Sequence, residues 1–374
     1  MKILILSSST GGGHNSAAKA LQAEAKRRGH RADIKNGLDF TTRSRKEFIS
    51  WGHTFTYKYL PKTYGKAYAR EENHPNYSLY SDFMFAAAPL YFYINQNKYD
   101  AVVCVHVFPA LMLAHILRNR EERGRKYNIP GYFVATDYTC SPGVYFTRGK
   151  HWFVPKGLTG AFVDEGVDKN AIIESGIPVS KTYYEHPFKQ EVKEELGLPT
   201  DKRLVVMSCG AMGCGPLNKL SIELDKLLPE NSMLAVICGS NKKLLRKLKP
   251  MAKEGRFYPM GFVHNMDKWI KAADLIVSKP GGLTSTECVT GNTPCVFIDA
   301  VPGPETYNLK YFVERGCAWG AADAAEATSK VLALLDDDEA CNAMLEAQKQ
   351  WSDTCAVDVI IDTLEADYSQ NEER

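Results

Sequence analysis

The stretch from Lys2 to Leu21, KILILSSSTGGGHNSAAKAL, decides the class of fold. Lys2 to Leu6 reads as an apolar strand, and a run of three glycines, Gly11 to Gly13, ends it. From His14 to Arg28 Ala and Leu recur at helical spacing, and Ala32 to Lys35 reads as a second short strand. Strand, glycine turn, helix, strand is the opening of an α/β domain with a parallel sheet.

The same alternation recurs outward from this segment. Ala101 to Val105 and Tyr132 to Ala135 read as later strands of a first series. A second series has strands at Leu204 to Ser208, Met233 to Cys238, Arg256 to Met260, Leu275 to Ser278 and Pro294 to Ile298. Helix-like segments separate them at Leu217 to Leu228, Lys242 to Met251, Met266 to Ala272 and Ser285 to Thr290. Gly-Ile-Pro, His186-Pro187 and a charged run between Ile177 and Leu198 break the pattern. The expectation is therefore two doubly wound α/β domains, residues 1–185 and 186–374, with the acidic last few residues as a frayed tail. The length of 374 residues suits two domains with their own cores and excludes a single small binding module.

Composition narrows the class. With 44% hydrophobic residues and a net charge of +2, the chain is an ordinary globular protein and lacks the basic excess needed to wrap nucleic acid. The two halves differ, however. Residues 1–185 hold 25 Lys and Arg against 16 Asp and Glu, and residues 186–374 hold 21 against 28, so the N-terminal half is set to meet an anionic surface or ligand. Ten scattered Cys and a strand starting directly after Met1 read as reduced thiols in a cytoplasmic protein without a cleaved signal. Cys209 and Cys214 have no second pair near them, so no metal site is expected.

No apolar run is long enough to span a bilayer. Phe83 to Ile94, FMFAAAPLYFYI, is interrupted by Pro89 and reads as a buried helix or as an interfacial surface. Before it, Trp51, Phe55, Tyr57, Tyr59, Tyr64, Tyr68, Tyr77 and Tyr80 interleave with Lys58, Lys62, Lys66 and Arg70. Aromatics with a polar tip beside cations suit a membrane interface. A helical hairpin with its aromatics turned inward is the competing reading.

Ligands in open α/β sheets bind beyond the carboxyl ends of the strands, which directs attention to three turns. Ser8 to Asn15 brings backbone N–H groups to a helix start, yet GGGH is not the G-x-G-x-x-G of a dinucleotide site. His14 there is a candidate general base, or simply a helix-start residue. Ser208 to Pro216, with Gly210, Ala211, Met212 and Gly213, is built to cradle a diphosphate. Ser278 to Glu287, SKPGGLTSTE, opens a helix after Gly281 and Gly282. Glu287 either grips two ribose hydroxyls or caps the helix.

These residues also carry a resemblance. ILSSSTGGGHNSAAKAL, VATDY, SGIPV, GAMGCG and SKPGGLTSTECVTGNTPCVFIDAVPGPETYN resemble the monogalactosyldiacylglycerol synthase and processive diacylglycerol glucosyltransferase family, over nearly the whole chain. The family is similar to the peptidoglycan lipid-linked GlcNAc transferase. The resemblance implies a GT-B fold, two Rossmann-like domains facing a central cleft. It implies an inverting, metal-independent transfer of a hexose from UDP-glucose or UDP-galactose to diacylglycerol or glycosyl-diacylglycerol, with no cofactor beyond the donor. A peripheral position on the cytoplasmic face of an anionic membrane goes with it.

Residue by residue, the resemblance makes His14 the base and sets Asp137 on the acceptor side, to orient His14 or replace it. Glu287 becomes the ribose ligand. Glu305 and Asn308 fall where the donor sugar is held, and Phe262 and Val263 where uracil is read. Gly12, Gly13, Gly210, Ala211, Met212, Gly213, Gly281, Gly282, Leu283 and Thr284 fall on the donor loops. Trp51, Tyr57, Tyr64 and Tyr68 belong to the acceptor or membrane side. The other classes in play are a transferase with a non-lipid acceptor, a UDP-sugar epimerase of the same architecture, and a UDP-sugar sensor without turnover.

Overall fold

The computed structural model describes residues 1–8, 12–73, 86–122 and 129–372. Ser9, Thr10 and Gly11 of the first turn, Tyr77, Tyr80 and the Phe83 to Phe85 start of the apolar run lie outside the described residues. The chain forms two compact units. One comprises Met1–Ser180, Val301–Pro304 and Thr354–Arg374, the other Lys181–Ala300 and Glu305–Asp353.

The first unit runs β1 (Lys2–Ser7), α1 (Gly12–Arg27), β2 (Arg31–Asn36), α2 (Arg43–Tyr59), α3 (Pro61–Asn73), α4 (Ala87–Asn97), β3 (Ala101–Cys104), α5 (Val107–Glu122), β4 (Gly131–Val134), β5 (His151–Val154), α6 (Thr159–Asp164) and β6 (Ile172–Glu174). Its parallel sheet has the order β2-β1-β3-β4-β5-β6. Ile3, Leu4, Ile5 and Leu6 are at most 1% exposed, each contributing roughly 2 kcal/mol by burial. Helix α1 closes on the sheet through Ala17, Ala18, Leu21 and Ala25. Helix α4 buries Ala87, Leu90 and Ile94, so the apolar run, where described, is a core helix that turns Phe92 outward at 68% exposure.

The second unit runs α7 (Lys189–Glu195), β7 (Arg203–Ser208), α8 (Leu217–Leu227), β8 (Ser232–Ile237), α9 (Lys242–Leu248), β9 (Phe257–Met260), α10 (Met266–Ala272), β10 (Leu275–Ser278), α11 (Gly282–Thr290), β11 (Cys295–Ile298), α12 (Pro304–Glu314), β12 (Trp319–Ala321), α13 (Ala324–Asp336) and α14 (Asp338–Trp351). Its sheet, also parallel, has the order β12-β11-β10-β7-β8-β9. The inner strands are buried almost throughout, as parallel sheets covered on both faces require.

The last helix, α15 (Ala356–Glu372), belongs to the first unit. It packs on α1. Arg28 binds Glu24 and Asp358 at 2.7 and 2.6 Å, Glu365 at 3.1 Å, and also Asp362. Asp367, 6% exposed, accepts from the Tyr132 hydroxyl at 2.8 Å and pairs with Lys150 at 2.6 Å. The acidic C-terminus is thus the complement of a basic edge of the first unit.

In both sheets the strand order reverses once, between β1 and β3 in the first unit and between β7 and β10 in the second. At such a point the connections leave in opposite directions and open a crevice beyond the strand ends. The first glycine turn of the sequence falls at the reversal in the first unit, and the other two fall at the reversal in the second.

Candidate functional site

In the first unit the residues that follow β1, β3 and β4 come together. Ser7 Oγ donates to Asn15 Oδ1 at 2.7 Å, tying the end of β1 to the start of α1. Gly12 and Gly13 form the first residues of that helix and His14 stands in its first turn, half-buried. His14 Nδ1 lies 3.1 Å from the Val105 carbonyl oxygen and 2.8 Å from Thr136 Oγ1. A carbonyl only accepts, so Nδ1 carries the proton and donates. In the neutral ring Nε2 is then the nitrogen with the basic lone pair.

Thr136, the residue before Asp137, supplies the contact with His14. Asp137 itself is half-buried in the connection that follows β4. The His106 ring meets His14 edge to face with centroids 4.5 Å apart. Neither Thr136 nor His106 stands out in the sequence. A signal for His106 exists, a polar residue just after an apolar strand, but without the fold one histidine in VCVHVFPA reads as incidental.

The second unit carries the other two glycine turns. After β7, Gly210, Gly213 and Gly215 have φ of +69°, +57° and +103°, where side chains are strained. A Cβ on Gly213 would lie 1.9 Å from the Cys238 carbonyl oxygen. The turn is strapped to the β8–α9 connection by Ser240 N to Ala211 O at 2.8 Å and Asn241 Nδ2 to Gly213 O at 2.9 Å. Met212 lies between these straps. The result is a rigid loop of backbone at a switch point.

Beside it, β10 leads through Lys279-Pro280 into α11, with Gly281 as its cap residue. Gly282 and Leu283 are buried, Thr284 is half-buried, and the Ser285 amide donates to Gly281 O at 2.8 Å. Glu287 comes in the second turn, beyond the orphan amides, so the capping alternative falls. Burial pushes its carboxyl up to about 8, although a hydrogen bond from Tyr183 works in the opposite direction. Part of Glu287 remains accessible, and dense protein surrounds the rest. Tyr183 sits on the short segment Lys181–Tyr184, which packs against α11; nothing in KTYYE announces this contact.

Lys279 likewise gives no signal in the sequence. It is 7% exposed and pairs with Asp299 Oδ2 at 2.9 Å. Burial opposes its charge, yet Glu305 and Asp299 hold its pKa above the ordinary value. A Cβ on Gly215 would meet that pair, 2.8 Å from Asp299 Oδ2 and 3.2 Å from Lys279 Cε. The two glycine turns therefore converge on a buried ammonium. Glu305 lies in the first turn of α12 and is 9% exposed. Asn308 is fully buried and its amide donates to Pro280 O at 2.9 Å, bracing the turn before α11. Phe262, 56% exposed, and Val263 follow β9, with the Phe262 ring 5.1 Å from His264.

The aromatic stretch divides. Tyr57 and Tyr64 meet edge to face at 5.8 Å between α2 and α3, and Tyr64 and Tyr68 lie against Gly303. These three are half-buried and pack within the first unit, so they are not the open surface that the resemblance implies. Trp51 points the other way. With Phe48, Phe55 and Tyr59 it forms one stripe of α2 at 74%, 64%, 38% and 62% exposure for residues 48, 51, 55 and 59, within about 80° of arc at 3.6 residues per turn. Among the described residues no helix is long and apolar enough to cross a membrane, and no group of three His, Cys, Asp or Glu is arranged to hold a metal ion.

Comparison with known proteins agrees with this geometry. Residues 14–179 match the family model of monogalactosyldiacylglycerol (MGDG) synthase, and residues 204–363 that of the glycosyltransferase family 28 C-terminal domain. A processive diacylglycerol beta-glucosyltransferase of Staphylococcus carnosus is 26% identical over 363 residues, covering 94% of this chain and 88% of that protein. Its counterpart in Staphylococcus aureus strain Newman is 30% identical over 230 residues, 60% of this chain and 58% of the other. Among solved structures, MurG of Acinetobacter baumannii has a TM-score of 0.61 at 16% identity, with 97% and 99% of the two chains covered. The spinosyn rhamnosyltransferase SpnG complexed with thymidine diphosphate has 0.62 at 10%, with 98% and 100% covered; both share the fold. The chain is a UDP-sugar glycosyltransferase of the GT-B fold, with an N-terminal part that matches MGDG synthase and a C-terminal part that matches the glycosyltransferase family 28 C-terminal domain.

Proposed function

We propose that this enzyme transfers a hexose, with UDP-glucose as the first donor to test, to the free hydroxyl of diacylglycerol, with inversion and without a metal ion. The observation that carries the reading is the placement of His14 at the switch point of the first unit, with Nδ1 beside the Val105 carbonyl and the Thr136 hydroxyl; we take Nε2 as the basic nitrogen. In a single displacement the acceptor oxygen attacks the anomeric carbon while its proton passes to Nε2. The bond from that carbon to the diphosphate oxygen breaks on the opposite face, hence the inversion.

The leaving diphosphate gains negative charge as the bond breaks. In the second unit the backbone amides of the Gly210–Gly213 turn and the start of α11 supply fixed positive potential. Glu287 holds the ribose, Phe262 and Val263 the base, and Glu305 the sugar. Asn308 acts through Pro280 as a brace. The names of the relatives support a lipid acceptor, and so does the exposed aromatic stripe of α2, which suits the interfacial level of a membrane.

The decisive experiment incubates the protein with diacylglycerol liposomes and UDP-glucose, UDP-galactose or UDP-GlcNAc, reading UDP release and lipid mass. A lipid heavier by one hexose is expected. UDP release without a glycolipid would overturn the acceptor.

A further inference from the structure

We propose that Asp299 is a positioning residue of the donor site: through its ion pair with Lys279 it fixes the glycine turn after β7 at Gly215, and with it the backbone amides that meet the donor diphosphate. This rests on the transferase reading above. Asp299 follows β11 with φ of +57°, in the left-handed region that few residues other than Gly, Asn and Asp enter. A side chain kept there is held by its surroundings, and such positions cluster at functional sites. The partner that holds Asp299 is Lys279, at the end of the neighbouring strand β10, whose Nζ donates to Asp299 Oδ2 at 2.9 Å.

The turn closes on that pair. A Cβ on Gly215, where φ is +103°, would lie 2.8 Å from Asp299 Oδ2 and 3.2 Å from Lys279 Cε, so a bare glycine backbone runs against both members of the pair. The ends of three adjacent strands, β11, β10 and β7, thus meet at one ion pair. The sign of the charge supports the role. A carboxylate beside a turn that receives a diphosphate repels the ligand, so it is unsuited to binding the donor and suited to holding an ammonium in place. The bland alternative is that Asp299 merely neutralises a buried lysine. Glu305 already serves that purpose: burial opposes the charge of Lys279, and Glu305, ahead of Asp299, keeps its pKa above the ordinary value. Neutralisation alone therefore does not call for a second carboxylate on a left-handed backbone.

Two substitutions separate these readings. Asp299→Gly relaxes the backbone and removes the carboxylate, whereas Asp299→Asn keeps an oxygen for Lys279 and tolerates the left-handed region. Each variant is compared with wild type by titration with UDP and, separately, with uridine, which has no phosphate and reports on base and ribose alone. Asp299→Gly is expected to bind UDP about tenfold more weakly with uridine affinity unchanged, and Asp299→Asn to stay within about threefold of wild type on both. Equal losses on the two ligands, no loss on UDP, or an Asn variant as weak as the Gly variant overturn the assignment and leave the donor reading standing. Should Asp299→Gly fail to fold, Asp299→Ser, which also removes the carboxylate, is read by the same criterion. A wild type that binds UDP no tighter than uridine removes the diphosphate role of the turn, and Asp299 with it. One that binds neither overturns the transferase reading itself.

Discussion

At the scale of residues, two side chains carry opposite charge logic. His14 is oriented by groups that do not ionise, a carbonyl and a hydroxyl, so replacing it should touch the chemical step alone. His14→Ala is expected to cost at least about 100-fold in kcat with UDP affinity nearly intact. Retained turnover would end its role as base. Glu287 is different, because burial raises its pKa to about 8. Its contribution to stability is complete below the ordinary carboxyl range and is lost as pH rises through about 8. Ribose hydroxyls donate to the ionised carboxylate, so below that pH binding must expel a proton. UDP affinity should therefore rise from about pH 6.5 to 8.5 and then level, and calorimetry in buffers of different ionisation enthalpy should record proton release. Glu287→Gln should flatten the profile; a flat profile in wild type would mean that the carboxylate does not grip the ribose. Both residues stand out in the sequence as candidates. Their partners do not, since Thr136 lies 122 positions from His14 and Tyr183 lies 104 positions from Glu287, and only the folded sheets close those distances.

At the scale of elements, the glycine turns are legible because each follows an apolar strand and opens a helix. The late helices, and the short strands β5, β6 and β12, give little periodicity to read. The Gly210–Gly213 turn is the most demanding element. Gly213 combines a left-handed φ with a backbone oxygen where its Cβ would be. Gly213→Ala should cost at least about 2 kcal/mol of stability and weaken UDP binding, measured by thermal melts and titration; an undisturbed melt would show that the turn yields. Helix α15 gives no sign in the sequence of the unit it joins, for a physical reason. Its Asp and Glu side chains look solvated until Arg28 is found among Glu24, Asp358, Asp362 and Glu365. Glu24 is only 3% exposed but keeps Arg27 at 2.7 Å, so Arg28→Ala leaves a clustered set of carboxylates with one arginine fewer and should destabilise the protein by about 2 kcal/mol. A loss of that size lowers the melting temperature of a domain this large by roughly 4 to 8 °C. A melting temperature indistinguishable from wild type would show the cluster to be superficial.

At the scale of the molecule, charge decides how a lipid acceptor would be approached. The N-terminal half of the sequence has 25 basic and 16 acidic side chains, which by itself describes a broadly basic face. Folding changes that, because residues 354–374, with six acidic side chains and one Arg, join the first unit and neutralise one edge of it. What remains is concentrated in the α2–α3 hairpin, where residues 43–73 hold seven Lys or Arg against three Glu. That hairpin also carries the exposed Phe48, Trp51, Phe55 and Tyr59. Attraction to anionic lipid is worth about 1 kcal/mol per cation near the surface, and the aromatic stripe adds an apolar share that salt does not screen. Vesicles of phosphatidylglycerol should therefore float with the protein at low salt and release most of it at about 0.5 M, where the Debye length falls to a few ångströms. Lys62→Glu with Lys66→Glu should abolish the preference for anionic vesicles, whereas Phe48→Ser with Trp51→Ser should weaken whatever binding survives salt. Equal flotation with neutral and anionic vesicles would remove charge from the account, and failure of the aromatic pair to matter would return α2 to the status of an ordinary exposed helix.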